Sequence, residues 1–350
     1  MAGPVRAWSG VIEAYRPFLP SIERVVTLHE GATPLVPSDA IGRRVGRRVW
    51  LKLEGSNPTG SFKDRGMTVA ISRAAGNGVR GVICASTGNT AASAAAYAAR
   101  AGLACVIVLP ASAGAVARGK LVQATAHGAR VMAVDGGFEQ ALDLARAASE
   151  AEGLALVNSL NPMRLEGQTT AAFEICDALG RAPATLVLPV GNGGNITAYW
   201  MGFGRYHTAG RIEHRPRLIG VQAEGANPLV RGAPVERPET LASAIRIGRP
   251  ANWDKAVAAA TESGGRFVAV SDAEITEAQA ALAAEGIFVE PASAAAVAGT
   301  WRVGAAADDG DLVAVLTGHG LKDPDAVART DPIRIPASLE ALREAIAARR

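Results

Sequence analysis

The stretch TLVLPVGNGGN, residues 185–195, joins a mostly apolar run to a loop of three glycines and two asparagines. A short apolar run of this kind is typical of a strand buried on both faces of a parallel sheet. Glycines after such a strand let backbone N–H groups approach an anion at the start of the next helix. We therefore interpret 185–190 as a central strand and 191–195 as a phosphate-binding loop, with a plain strand-to-helix turn as the alternative.

Similar apolar runs and Ala-rich helical segments alternate along the chain on both sides of this stretch. The predicted strands are 81–86, 104–110, 129–134, 185–190, 217–222, 266–270 and 312–318. The predicted helices are 89–101, 116–127, 138–152, 164–179 and 272–285. This alternation predicts an α/β fold with βαβ units, parallel sheets and helices on both faces. The Pro- and Gly-dotted segment 223–264 is predicted to be irregular, and an amphipathic last helix, 338–349, to dock on the body.

Composition excludes several classes of protein. The 350 residues are 49% hydrophobic and 20% charged, which supplies a sizeable core and argues against disorder. A net charge of +3 without a basic stripe does not favour nucleic acid or an acidic membrane as partner. No long apolar span occurs, so we expect a cytoplasmic protein. The three cysteines and five histidines show no ligand spacing, so neither a disulfide framework nor a metal site is expected.

Lysine is rare in this chain. It occurs only at positions 52, 63, 120, 255 and 322, which leaves 31 of the 36 basic residues as arginine. Lys63 lies in SNPTGSFKDRG, residues 56–66, a polar loop that leads into a predicted helix. Imine formation needs an amine that can lose its proton, and a guanidinium cannot. Lys63 is therefore the candidate for covalent chemistry, with a solvated lysine at a helix start as the alternative.

Two more polar loops follow predicted strands, STGNT at 86–90 and TGHG at 317–320. Ligands collect at the carboxyl ends of parallel strands, so we expect both loops to share one site with 191–195. Hydroxyl and N–H groups in 86–90 suit a carboxylate, although Asn89 alone could simply cap the helix. The hydroxyl of Thr317 is expected to point into the same crevice.

Together these loops resemble those of the tryptophan-synthase-β-like, fold type II, pyridoxal-phosphate enzymes, and most closely the threonine synthase branch. The similar segments include LKLEGSNPTGSFKDRGM, CASTGNTAASAAAYAARAG, LVNSLNPMRLEGQ, LPVGNGGNITAYWMGF and GIFVEPASAAAVAG. The resemblance implies two open, twisted, mostly parallel sheets flanked by helices. It also implies a large cofactor-binding domain, 1–69 and 158–350, that includes an N-terminal extension and the C-terminal helix. A smaller mobile α/β domain, 70–157, would be inserted into it.

The resemblance further implies pyridoxal 5′-phosphate as the cofactor. Lys63 would carry it and act as the catalytic base, Asn89 would bond its 3′-oxygen, and Thr317 would meet its pyridine nitrogen. The residues that would hold its phosphate are those of the glycine loop: Gly191, Asn192, Gly193, Gly194 and Asn195.

The same resemblance assigns two sets of substrate residues. The substrate carboxylate would be bound by Ser86, Thr87 and Thr90. The substrate phosphate would be bound by Lys120, Asn158, Ser159 and Arg164. The implied reaction, in a homodimer, converts O-phospho-L-homoserine and water to L-threonine and phosphate. The alternatives are a threonine or serine dehydratase, a β-replacement synthase that uses O-phosphoserine, and a catalytically silent binding homologue.

Overall fold

The computed structural model of the chain describes residues 7–86, 88–111, 118–304, 310–326 and 332–348, without the side chains of 118–120 and 325. Two predicted substrate residues are affected: Thr87 lies outside the described residues, and of Lys120 only the backbone is described.

The larger sheet has six strands in the described part of the chain, in the order β1-β2-β10-β7-β8-β9. Their bounds are β1 Leu35–Pro37, β2 Val49–Leu53, β7 Thr185–Pro189, β8 Arg217–Ala223, β9 Arg266–Val270 and β10 Leu312–Leu316. Only the β1–β2 pairing in this sheet is antiparallel. The predicted central strand, β7, is therefore flanked on both sides by parallel neighbours, as its mostly apolar sequence indicates.

The smaller sheet is entirely parallel, in the order β5-β4-β3-β6 over the described residues. Its strands are β3 Gly81–Ala85, β4 Ala104–Pro110, β5 Arg130–Val134 and β6 Ala155–Leu156. All four fall inside the segment 70–157. Two mostly parallel sheets flanked by helices confirm the predicted fold class, whereas the domain boundaries stay a prediction.

Helices cover both sheets. Their bounds are α1 Val11–Ala14, α2 Asp39–Val45, α3 Lys63–Gly76, α4 Asn89–Ala101, α5 Arg118–Ala126, α6 Phe138–Glu152, α7 Pro162–Gln168, α8 Thr170–Leu179, α9 Gly194–Thr208, α10 Pro228–Arg231, α11 Trp253–Glu262, α12 Asp272–Ala284, α13 Pro291–Val303 and α14 Leu339–Ala347. Separate apolar clusters fill the two faces of the larger sheet, and a third packs α3 and α4 against the smaller sheet. Three helices, α3, α4 and α9, begin at predicted site residues.

The helix predicted at 164–179 is two helices that meet at Thr169. The hydroxyl of Thr169 bonds the carbonyl of Glu166 at 2.6 Å, which competes with a continuous helix. Gly167 in α7 allows this helix to lie close to α3. A Cβ on Gly167 would stand 1.9 Å from the Arg65 carbonyl oxygen, so only glycine permits this contact.

Other local expectations were wrong. The segment 223–264 contains the ten-residue helix α11, and strands β1, β2 and β6 were not predicted. The last helix, α14, has no buried residue, and its apolar side chains Leu339, Leu342 and Ile346 are all exposed. It therefore does not dock on the body in the way expected.

No helix in the described ranges is both long enough and apolar enough to cross a bilayer. Cys84, Cys105 and Cys176 are all buried and free.

Candidate active site

The predicted site residues converge on one cavity of about 1290 Å³ at the carboxyl ends of β3, β7 and β10. The predicted residues that line it are Lys63, Ser86, Asn89, Thr90, Asn158, Ser159, Arg164, Gly191, Asn192, Gly193, Gly194, Asn195 and Thr317. Residues more than 250 positions apart in sequence, such as Lys63 and Thr317, thus face one space. This is the arrangement expected for ligand binding at strand ends in α/β sheets.

Lys63 is placed by the loop that follows β10. The N–H of Phe62 donates to the Thr317 carbonyl at 3.0 Å, and the His319 N–H donates to the Gly60 carbonyl at 2.9 Å. Burial and, after it, the positive charge of Arg164 lower the pKa of the Lys63 amine to about 7, although the Glu290 carboxylate acts to raise it. Near neutral pH a large share of the amine is unprotonated, which suits a nucleophile or a base.

The glycine loop forms a cradle for an anion, and its turn at Gly193 requires glycine. Gly193 has φ +78°, and a Cβ there would lie 2.9 Å from the Ala256 Cβ and 3.0 Å from the Asn252 carbonyl oxygen. Helix α9 begins directly after it, so its first N–H groups and its dipole face the cavity. The buried Asn195 Nδ2 has no hydrogen-bond partner among the described residues. A bound phosphate would satisfy these donors.

Asn89 opens α4 and meets an acid that sequence reasoning did not assign. Its Nδ2 donates to both carboxylate oxygens of Glu290, at 3.1 Å each. Glu290 is buried directly before Pro291, the first residue of α13. In the sequence only the Glu-Pro pair in the segment GIFVEPAS marks this position, and it does not indicate a contact with Asn89.

Thr317 is buried at the end of β10, and its hydroxyl lies 3.2 Å from that of Ser293. Ser293 Oγ also accepts from the Gly318 N–H at 2.7 Å. The loop after β10 is therefore held by α13, and the Thr317 hydroxyl has a defined position at the cavity wall.

Arg164 carries a buried charge at the site. It is 1% exposed, one of its nitrogens donates to the Val157 carbonyl at 3.3 Å, and its Nε has no partner within the described chain. Burial lowers its pKa to about 10, although the nearby Cys84 thiol acts to raise it. A buried guanidinium is costly without an anion, and this one faces a cavity that could admit one.

Asn158 and Ser159 follow β6 and line the same wall. Both ends of the Asn158 amide bond the backbone of Ala85, at 3.0 and 2.9 Å, so this side chain fixes the end of β3. The Ser159 carbonyl accepts from Asn252 Nδ2 at 3.4 Å. Asn252 also bonds the Asn192 carbonyl through its N–H at 2.9 Å. Asn252 therefore joins the glycine loop to the 158–159 loop. It lies in the segment 223–264, which was predicted to be irregular, and no site role was assigned to it from the sequence.

A scan against family models matches residues 26–318 to the family described as pyridoxal-phosphate dependent enzyme. Among curated proteins, the chain is 56% identical to a threonine synthase of Synechocystis sp. over 97% of this chain and 90% of that protein. It is 53% identical to a threonine synthase of Mycobacterium leprae, over 96% and 94%. The similarity also reaches Methanocaldococcus jannaschii, whose threonine synthase is 48% identical over 91% and 82%.

Among solved structures, maize serine racemase superposes with a TM-score of 0.73 at 18% identity, covering 97% of this chain and 95% of that one. The processed form of threonine deaminase isoform 2 from Solanum lycopersicum gives a TM-score of 0.71 at 23% identity, over 91% and 83%. At these identities the likeness concerns the fold alone.

Proposed function

The chain belongs to the pyridoxal-phosphate dependent enzymes and, within them, to the threonine synthases, and from this premise we propose how its site works. It is a lyase that converts O-phospho-L-homoserine and water to L-threonine and phosphate. We propose that Lys63 carries the cofactor and moves the protons, and that Arg164 binds the substrate phosphate.

The observation that carries the substrate assignment is the buried guanidinium of Arg164, which faces the cavity without an anion among the described residues. A phosphate dianion would supply the missing charge and accept its free donors. The substrates of amino-acid dehydratases carry no phosphate and would leave Arg164 uncompensated. This favours a phosphorylated substrate over the dehydratase alternative.

The residues present fit pyridoxal 5′-phosphate. The glycine loop with the start of α9 would hold its phosphate, Asn89 its 3′-oxygen and Thr317 its ring nitrogen. When bound through Lys63, the cofactor supplies an electron sink for carbanions next to the amino group. The neutral hydroxyl of Thr317, unlike a carboxylate, does not hold a proton on the ring nitrogen, which suits elimination and replacement chemistry.

The chain's own groups account for the proton transfers. The Lys63 amine, with its pKa lowered to about 7, takes the proton from the substrate Cα and then a proton from Cβ. Arg164, with Ser159, Asn158 and Lys120, would hold the phosphate as it leaves Cγ. Ser86, Thr87 and Thr90 would hold the carboxylate at the start of α4. Cγ then gains a proton, water adds its hydroxyl to Cβ, Cα regains its proton, and the product leaves as L-threonine.

The test is an incubation of the purified protein with pyridoxal 5′-phosphate and O-phospho-L-homoserine. Threonine and phosphate should appear in equal amounts, and Lys63→Ala should abolish both. Phosphate released without threonine would contradict the proposal. O-phospho-L-serine and L-threonine, offered as separate substrates, test the β-replacement and dehydratase alternatives.

A cytoplasmic homodimer completes the proposal and is supported by the resemblance to the family. Light scattering of the purified holoenzyme should give twice the chain mass of 35.9 kDa. A mass equal to one chain would overturn the dimer and leave the proposed reaction untouched.

A further inference from the structure

Thr59, four residues before Lys63, is bonded to the carboxylate of Asp64. The Thr59 N–H donates to one Asp64 oxygen at 2.7 Å, and its hydroxyl donates to the other at 2.5 Å. Thr59 is 2% exposed and Asp64 is fully buried. Lys63 therefore lies inside a short loop whose two ends are held by a single carboxylate.

The same carboxylate reaches the smaller sheet. The hydroxyl of Ser93, also fully buried, donates to Asp64 at 2.6 Å. Ser93 stands one helical turn after Asn89 on α4, so it moves with the residues proposed to contact the cofactor and the substrate carboxylate. Asp64 thus fixes the distance between the Lys63 loop and the start of α4.

Lys322 bonds the backbone carbonyl of Thr59, whereas Asp64 bonds its N–H and hydroxyl. Its Nζ donates to the Thr59 carbonyl at 3.1 Å and to Gln123 Oε1 on α5 at 2.5 Å. The side chain lies close against the Lys63 loop, because a Cβ on Gly60 would be 3.0 Å from its Cδ. Lys322 thus connects the loop after β10, the Lys63 loop and α5.

We propose that Thr59, Asp64, Ser93, Lys322 and Gln123 form a positioning clamp, the Thr59 clamp, that sets the Lys63 amine against α4 and α5. The inference rests on the proposed function, since it concerns how that reaction's base is placed. Four of the five lie outside the cavity lining, and Lys322, which lines it, contributes here through its bond to Thr59. They act through Lys63, whose misplacement by about 1 Å can cost on the order of a hundredfold in rate.

The charges within the clamp support a role that depends on Thr59. Burial raises the pKa of Asp64 to about 6, while hydrogen bonds from Ser93 and Thr59 oppose the rise. Burial also lowers the pKa of Lys322, while the nearby Glu290 and Asp64 carboxylates oppose the fall. The clamp therefore holds the buried Asp64 carboxylate and the partly buried Lys322 ammonium on either side of Thr59. Loss of the Thr59 hydroxyl removes one of the donors that oppose the rise in the pKa of Asp64.

The experiment compares Thr59→Val, which removes the hydroxyl at nearly constant volume, with Thr59→Ser, which keeps it. Thr300→Val is the matched control, because Thr300 is fully buried on α13 and its hydroxyl bonds only the helical carbonyl of Ala296 among the described groups. Each holoenzyme is assayed for kcat and KM with O-phospho-L-homoserine. Each apoenzyme is mixed with pyridoxal 5′-phosphate, and the rate of its covalent attachment to Lys63 is followed by absorbance.

Thr59→Val should lower kcat and the attachment rate about tenfold or more, with KM changed less than about threefold. Thr59→Ser should stay within about threefold of the wild type, and Thr300→Val should match the wild type. Equal behaviour of Thr59→Val and Thr300→Val, or equal losses in Thr59→Val and Thr59→Ser, would overturn the clamp.

Two further measurements keep the proposal testable if Thr59→Val does not fold. Ser93→Ala should lower both rates, and Lys322→Met combined with Gln123→Leu should cost less than the sum of the single losses, as contacting residues do. Unchanged rates in Ser93→Ala with strictly additive losses in the other pair would overturn the clamp. If the wild type made no threonine, the proposed function would fail, whereas the attachment rates would still test the clamp.

Discussion

Arg164 carries a positive charge in the interior of the protein with no anion beside it among the described residues. Replacing it by Leu should therefore relieve a buried charge in the free enzyme and remove the binding partner of the substrate phosphate. The apoprotein should unfold at the same or a higher temperature. KM for O-phospho-L-homoserine should rise about a hundredfold, as loss of a charged partner predicts.

Steady-state kinetics together with thermal unfolding check this prediction. Arg146→Leu is the control, because Arg146 lines the same cavity but is half exposed and pairs with Asp143. An Arg164→Leu enzyme with unchanged KM would show that the phosphate binds elsewhere.

Lys63 should give cofactor attachment a defined pH dependence. Its lowered pKa of about 7 means that the amine is mostly protonated below pH 7 and mostly neutral above it. The attachment rate of the apoenzyme should therefore rise by about tenfold per pH unit below 7 and level off above it. Because the Arg164 charge lowers this pKa, Arg164→Leu should move the midpoint to higher pH. A flat profile between pH 6 and 8 would contradict the assignment, and Arg146→Leu should leave the midpoint in place.

At the scale of the element, the turn between β7 and α9 depends on Gly193. Its φ of +78° and the 2.9 Å approach of a Cβ to Ala256 mean that Gly193→Ala must distort the glycine loop. The Kd for pyridoxal 5′-phosphate should rise by about tenfold or more, since the N–H groups of the distorted loop would no longer all point towards the phosphate.

Fluorescence titration of the apoenzyme with the cofactor measures this effect. Gly204→Ala in the following helix, α9, provides the control, because a Cβ there meets nothing within 4 Å. It should leave cofactor binding unchanged and stabilise the fold slightly. Equal affinities of the two variants would argue against a role for the cradle.

Elements with local signals were predicted well from sequence. Strands β4 and β9 have the predicted bounds, and β7 ends one residue early, because an apolar run suffices to bury a parallel strand. Strand β2 was missed because VWLKL contains Lys52, whose buried amine is neutralised by Glu174, 122 residues away. The break at Thr169 was missed because the bond of its hydroxyl to the Glu166 carbonyl is one of several that a threonine can make within a helix.

The site residues that could be predicted also differ from the others in having a local signal. The glycine loop and Lys63 could be predicted, because each belongs to a contiguous motif with its own chemistry. Glu290 and Asn252 could not, because their site contacts are with residues 201 and 60 positions away. Asp64 was visible beside Lys63, but its bond to Ser93 exists only once α3 packs against α4.

At the scale of the whole molecule, a buried ion network ties the larger sheet to the helix that carries Lys63. Glu174 on α8 accepts from Lys52 at 2.7 Å and from Arg65 at 2.6 Å, and Arg65 also bonds Glu54 at 2.7 Å. Burial acts to raise the pKa of Glu174, but the Arg65 and Lys52 charges outweigh it and hold the value at about 2. Glu174→Gln should lower the free energy of unfolding by about 3 kcal/mol, since it leaves buried cations underpaired.

The pH dependence follows from the direction of that shift. A carboxylate with a depressed pKa contributes stability that is present above its unfolded value near 4.5 and is lost as pH falls toward 2. The difference in unfolding free energy between the wild type and Glu174→Gln, measured in urea, should be constant from pH 5 to 7 and shrink below 4.5. Glu277→Gln, which removes an exposed pair with Arg44, should cost less than about 1 kcal/mol at every pH. A difference that grows on acidification would contradict the pairing.

The place of β10 between β2 and β7 has a consequence for synthesis on the ribosome. Residues 312–316 leave the exit tunnel after both of their partner strands, since they pair with 49–53 on one side and 185–187 on the other. The smaller sheet, complete by residue 156, can close while translation continues, whereas β2 and β7 must wait with open edges. The loop at Thr317 arrives with β10, so the nascent chain gains its cofactor pocket in the same late step that completes the larger sheet.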